Sequence, residues 1–171
     1  MKLLATVDGT PLVQRTVLSL LDAGVVQVVL VVAPGHHLHG VPILGDPRVL
    51  LVTNPEPDRG MFSSVQEGLR VVEGDVILVL PGDMPFVPAA IVAAVGSTCA
   101  GTDVVVVPSY RGKRGHPVAI PSRLKSRLLG AAPASSLKEA LIAAWGSPLH
   151  EIAVETPGVL KDVDVPADLH Q

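Results

Sequence analysis

The sequence predicts an α/β fold, a mostly parallel sheet with helices on both faces, formed by residues 1–171 as a single domain. Two observations carry this. The strand candidates, such as 25–33 and 75–80, are unbroken aliphatic runs, as expected of strands covered on both faces. Segments with helical spacing of apolar residues alternate with them along the chain. A third observation fixes the kind of core. Phe62, Phe86, Tyr110 and Trp145 are the only aromatics, so Val, Leu, Ile and Ala must fill the interior.

Taken in order, Thr10-Pro11 reads as a helix start, with Thr10 the N-cap and Pro11 in the first turn. Val13, Val17, Leu20 and Leu21 share one face of that helix, and Gly24 closes it. The strand at 25–33 follows, then a loop at 34–47 and a short strand at 48–53. Ser64 and Glu67 have capping-box spacing, which starts a helix at 64–72. The strand at 75–80 stops at Pro81-Gly82, a turn signal. Pro88 opens a helix ending near Gly96. An apolar run at 103–107, a basic turn, and a strand at 116–120 come next. Helices at 122–129 and 136–145 precede a strand at 149–154. The tail extends over 159–164, and Pro166 begins a last helical turn.

Composition narrows the function. The 13 basic and 16 acidic side chains leave no positive excess of the kind nucleic acid demands. No apolar run approaches the ~18 residues of a membrane span, so neither partner is expected. A single cysteine, Cys99, reads as a small core residue and suits a reducing cytoplasm.

Chemistry concentrates in four segments. Asp83 is the first ionisable residue after the 75–80 strand, where open α/β sheets bind ligands. A lone carboxylate there can hold a divalent cation against nucleotide phosphates, or serve only as a turn residue. Asn54 to Leu69 reads N-P-E-P-D-R-G-M-F-S-S-V-Q-E-G-L, a strand end leading to a helix whose first-turn amides suit an anion. Tyr110 to Val118 reads Y-R-G-K-R-G-H-P-V, a basic turn that could equally be a solvated hairpin tip. Leu160 to Leu169 reads L-K-D-V-D-V-P-A-D-L, with Asp162 and Asp164 ahead of a proline.

In this order the four segments resemble the molybdenum cofactor cytidylyltransferases, the MocA/MobA-type nucleotidyltransferases, from Lys2 to Leu169. The resemblance implies a Rossmann-like nucleotidyltransferase fold, Mg2+ as cofactor, and a nucleoside triphosphate, CTP favoured, as one substrate. The other substrate is a molybdopterin-type acceptor whose phosphate attacks the α-phosphate and releases pyrophosphate. A molybdoenzyme or its chaperone is the implied onward partner. Residue by residue, Asp83 matches the metal-binding aspartate, and Asp162 and Asp164 match the second acidic motif. Gly60, Met61, Ser63 and Ser64 fall on the segment bordering the substrates. Gly115, His116 and Pro117 match the acceptor-side loop, with Arg111, Lys113 and Arg114 beside it. Lys2 matches the lysine that ends the nucleotide-binding loop.

The family pattern begins with a strand and an L-A-A-G-x-S-x-R-M-G-x-x-K loop, of which this chain retains only the final lysine. Two expectations follow. The strands at 25–33 and 75–80 should be either separated or pressed together, with exposed edges that promote association. The 171-residue chain should also bind triphosphate poorly. A non-catalytic paralogue that binds only the acceptor, or a nucleotidyltransferase for another phosphorylated small molecule, are the alternative readings.

Overall fold

The aliphatic runs form strands, but those strands assemble into separate sheets. The computed structural model describes residues 2–36, 38, 40–132 and 136–163. After a 3-10 turn at Lys2–Leu4, β1 (Thr6–Val7) and β2 (Thr10–Pro11) form a small hairpin. Its turn, Asp8-Gly9, has positive φ at both residues (50° and 76°), the two-residue geometry that Asp-Gly favours. The hairpin claims Thr10, so α1 (Leu12–Asp22) starts after Pro11 without a side-chain cap, contrary to the sequence expectation. β3 (Val28–Val32) and β4 (Val49–Thr53) pair in parallel as one two-stranded sheet. Val13, Val17 and Leu21 of α1 pack on Val28, Leu30 and Val32.

α2 (Met61–Val71) begins three residues before the Ser64–Glu67 pair, so no capping box forms there. β5 (Val76–Val79) follows, and then α3 (Ala89–Thr102). α3 runs past Gly96 because that glycine faces Leu78, whose methyl would lie 3.8 Å from an added Cβ. The remaining strands are β6 (Val106–Tyr110), β7 (Lys113–Arg114), β8 (Val118–Pro121) and β9 (His150–Ala153). β8 lies between β5 and β6 and is antiparallel to both, whereas β9 runs parallel to β6. The larger sheet is therefore mixed. α4 (Lys125–Leu129) and α5 (Leu137–Trp145) join α2 over one face, covering Ile77, Val107, Val118 and Ile120. α3 covers the other face through Val95 and Cys99, against Val106 and Ala119. Burial pushes the Cys99 thiol up to about 11, so it is held as an inert thiol.

α5 has the capping box that α2 lacks. Ser136 accepts from the Glu139 amide, and Glu139 accepts from the Ser136 amide at 2.8 Å. Ser136→Ala is expected to cost about 1 kcal/mol, seen as a fall in Tm of roughly 2–4 °C. The tail forms a 3-10 turn at Pro157–Leu160 rather than an extended piece from 159. The helical turn at Pro166 lies outside the described residues.

β3 and β5 share no pairing among the described residues. An open cleft of about 1670 Å³ lies between them, floored by their facing edges. Of the two arrangements expected for these strands, the structure has the separated one.

Candidate active site

The mouth of this cleft lies past the carboxyl ends of β3 and β5, and the loops there are tightly fixed. Asp83 follows β5 in Pro81-Gly82-Asp83, with Met84 buried behind it. Thr16 of α1 places its hydroxyl 3.1 Å from the Gly82 carbonyl oxygen. On the far side the Val163 amide donates to the Asp83 carbonyl at 3.0 Å, bringing the tail alongside. The Asp83 carboxylate, one-quarter exposed, accepts from Lys2 Nζ at 2.8 Å. Lys2 and Asp83, 81 positions apart in sequence, are thus joined at one point.

The second wall is the segment before and into α2. Asn54 is almost fully buried at the end of β4. Its Nδ2 donates to the hydroxyls of Ser63 (2.8 Å) and Ser64 (3.0 Å), while its Oδ1 accepts from the Glu56 amide. One side chain therefore folds the N-P-E-P-D-R-G segment back onto its own helix. Ser63 is buried, with its hydroxyl also donating to the Gly60 carbonyl at 2.7 Å. Ser64, Gly60 and Met61 line the cleft, and Met61 is 79% exposed. Gly60 has φ 97°, a conformation that favours glycine, and no side chain caps the helix it begins. Asn54 opens the quoted motif yet receives no role from sequence reasoning; an Asn between a strand end and Pro55 is the signal for such a turn.

The third wall is the loop between β7 and β8. Gly115 donates its amide to the Pro108 carbonyl, and His116 donates its amide to the Val159 carbonyl at 2.9 Å. A Cβ at Gly115 would collide with the Val159 carbonyl oxygen, and one at Gly158 with that of Phe86. These two backbone crossings lock the His116 loop, the 157–160 turn and the loop after Asp83 to one another. The His116-Pro117 peptide is cis, and Pro117 is buried. His116 Nδ1 lies 3.4 Å from the Val79 carbonyl. Burial holds its pKa below the ordinary 6.5, opposed by the Val79 carbonyl and by Asp83. A lowered pKa means that the folded state binds fewer protons than the unfolded chain. Stability should therefore fall as pH drops through 6.5 toward the folded value. Tm measured between pH 7.5 and 5.5 is expected to decline less steeply in His116→Gln than in the parent.

Gly115, His116 and Arg114 line the same cleft as Asp83, Gly60, Met61 and Ser64. Arg114 is tied to Glu151 at 2.7 Å. Arg111 and Lys113 do not line it. Arg111 forms the left-handed turn of the β6–β7 hairpin and stacks on Tyr110 at 5.1 Å. Asp162 is exposed and adjoins Val163 beside Asp83; Asp164 lies outside the described residues. Among the described residues no cluster of three or more His, Cys, Asp or Glu could hold a metal alone. The donor set is one carboxylate in the mouth with a second next to the tail. It suits a hard cation shared with substrate phosphates better than an all-protein cage.

Solved structures share this architecture. A nucleotidyl transferase from Methanothermobacter superposes with a TM-score of 0.77 at 26% identity, covering 98% of this chain and 81% of its own. A Mycobacterium tuberculosis H37Rv protein solved as a manganese complex gives 0.72 at 22% identity, covering 98% and 88%. The fold is the Rossmann-like α/β fold of nucleotidyltransferases such as the Methanothermobacter protein. Residues 1–149 match the MobA-like NTP transferase domain, and the chain belongs to that family. It is 22% identical over 121 residues to the molybdenum cofactor cytidylyltransferase of Escherichia coli K12. That match takes in 71% of this chain and 60% of the relative. No described helix is long and apolar enough to cross a membrane.

Proposed function

We propose that this chain transfers a nucleotidyl group, cytidylyl favoured, from a nucleoside triphosphate to the phosphate of a molybdopterin-type acceptor. An acceptor phosphate oxygen bonds to the α-phosphorus, the bond to the bridging α–β oxygen breaks, and pyrophosphate leaves. The single observation supporting this most is the convergence at the cleft mouth. There Asp83 meets Lys2 at 2.8 Å, next to the Val163 backbone and across from the Gly115–His116 loop. Family membership supplies the reaction class, and the Escherichia coli relative's name suggests both cytidylyl and acceptor.

Each residue then has a task that its position suits. Asp83, with Asp162 or Asp164 as the family resemblance implies, would hold Mg2+, which would supply positive charge against the departing pyrophosphate. Lys2 offers a point charge to the triphosphate from the same spot. The Gly60–Met61 corner and Ser64 border the nucleotide and acceptor, and Asn54 and Ser63 hold that corner rigid. His116, neutral because of its burial, presents an uncharged ring to the acceptor, with Arg114 behind it. Catalysis in this arrangement is positioning and charge neutralisation. Work in the cytoplasm, with delivery of the product to a molybdoenzyme or its chaperone, rests on the family resemblance.

The test is transfer of label from α-32P-CTP to molybdopterin in Mg2+, with ATP and GTP as competitors. His116→Ala is expected to raise KM for the acceptor at least about tenfold while changing KM for CTP less than twofold. Equal losses for both substrates would make the loop structural and remove the acceptor assignment.

A further inference from the structure

The direction of each hydrogen bond around Asn54 can be worked out atom by atom. Asn54 is buried, so its side-chain amide has to find its partners within the protein. Its Oδ1 lies 2.9 Å from the Glu56 amide, which can only donate. That contact fixes which end of the Asn54 side chain is the oxygen. Nδ2 carries two hydrogens and no lone pair, and it lies 2.8 Å from the Ser63 hydroxyl and 3.0 Å from that of Ser64. Each serine oxygen therefore accepts one hydrogen from Asn54, and each must send its own proton elsewhere.

The two serines then differ. Ser63 is buried and gives its proton to the Gly60 carbonyl at 2.7 Å. Ser64 accepts from Asn54, and no acceptor for its own proton lies within reach among the described residues. It is half-buried and lines the same cleft as Gly60, Met61, Gly115 and His116. A donor in that position is met by water or by whatever fills the cleft.

We infer that Asn54 is a positioning residue that holds the Ser64 hydroxyl as a donor to the cleft, so that Ser64 recognises a phosphate or carbonyl oxygen of the substrate and not an amino group. A hydroxyl set to donate rejects a group that can itself only donate, because the opposed hydrogens both go unpaired. The neutral amide of Asn54 is essential to this polarity. A carboxylate of the same shape would reverse it, since it has no hydrogen to give and would draw the Ser63 and Ser64 protons to itself. The inference rests on the proposed function only for the identity of the two substrates, either of which can bring such an oxygen.

Two NMR measurements on the 171-residue chain test it. The first needs no substrate. Asn54 is the only asparagine, so its Nδ2 protons are assigned without ambiguity. Ser64→Ala removes one of their two acceptors, and should move one of the two signals upfield and speed their exchange with water at least about tenfold. A failure here counts against this inference and leaves the proposed function standing. The second measurement is a double-mutant cycle over the parent, Asn54→Asp, Ser64→Ala and the double variant. Each protein is titrated with Mg·CTP in one arm and with molybdopterin in the other. In the arm that supplies the oxygen, Ser64→Ala should raise Kd at least about fivefold. Asn54→Asp should raise it at least as much, and the double variant should stay within about twofold of the worse single. The arm that responds identifies the substrate carrying the oxygen. Losses that multiply in the double variant would mean that Asn54→Asp acts by charge or packing alone, and would overturn the inference. Ser64→Ala that leaves the Asn54 protons and both Kd values unchanged would overturn it too, whether or not Asn54→Asp folds.

Discussion

In a form of the protein active in transfer, Asp83→Asn is expected to lower nucleotidyl transfer at least about 100-fold while leaving Tm within roughly 3 °C of the parent. The two effects separate because the side chain stands at the cleft mouth, one-quarter exposed, while the loop is held by backbone contacts. Thr16 meets the Gly82 carbonyl, and Val163 bonds the Asp83 carbonyl, whichever group the side chain carries. The substitution does break the Lys2–Asp83 ion pair. In a partly solvated setting that pair is worth about 0–1 kcal/mol, which sets the Tm limit. What is lost is an anionic oxygen that a hard cation and its phosphates require, and an amide oxygen is a poor substitute. Transfer of label from CTP, run alongside a thermal melt, checks both halves. A variant as active as its parent would remove Asp83 from the reaction.

Gly158→Ala should have the reverse signature, a large loss of stability. Its new methyl would fall on the Phe86 carbonyl oxygen, which belongs to the backbone and cannot rotate away. The 157–160 turn or the loop after Asp83 must move, at a cost of about 3 kcal/mol or more. For a chain of this size that is a Tm lower by roughly 6–12 °C. Gly115→Ala, aimed at the Val159 carbonyl, should behave alike. Because Val163 and the Asp83 loop lean on the same crossing, transfer should fall too, even at temperatures where the variant is folded. A melt within 2 °C of the parent would show that the crossing is looser than described.

The sequence is more eloquent about class and motifs than about joints. The aliphatic runs at 25–33 and 75–80 declare strands in an α/β protein, and their alternation with helices carries the layer order. Strand direction is a different matter. An apolar run looks the same in either sense, so the antiparallel insertion of β8 between β5 and β6 is invisible to periodicity. At Thr10-Pro11 two local rules compete, and the Asp8-Gly9 hairpin takes the residue that a helix cap would have used. Gly96 looks like a stop but is a contact point, since only a neighbour in space, Leu78, gives it meaning. Ser136 shows the contrasting case, where cap and first-turn Glu are both local and the helix starts as expected. The site divides in the same way. Asp83, Gly60 and His116 stand out by motif, whereas Asn54, Thr16 and Gly158 act through distant partners and leave little local trace.

Paramagnetic broadening by Mn·CTP in the NMR spectrum of the labelled chain tests the central assignment most directly, because it registers even weak binding. The account predicts selective loss of the amide signals of Gly60, Met61, Gly82, Asp83, Gly115, His116 and Val163, with the effect abolished in Asp83→Asn. Broadening centred elsewhere, or the same pattern in Asp83→Asn, would contradict it.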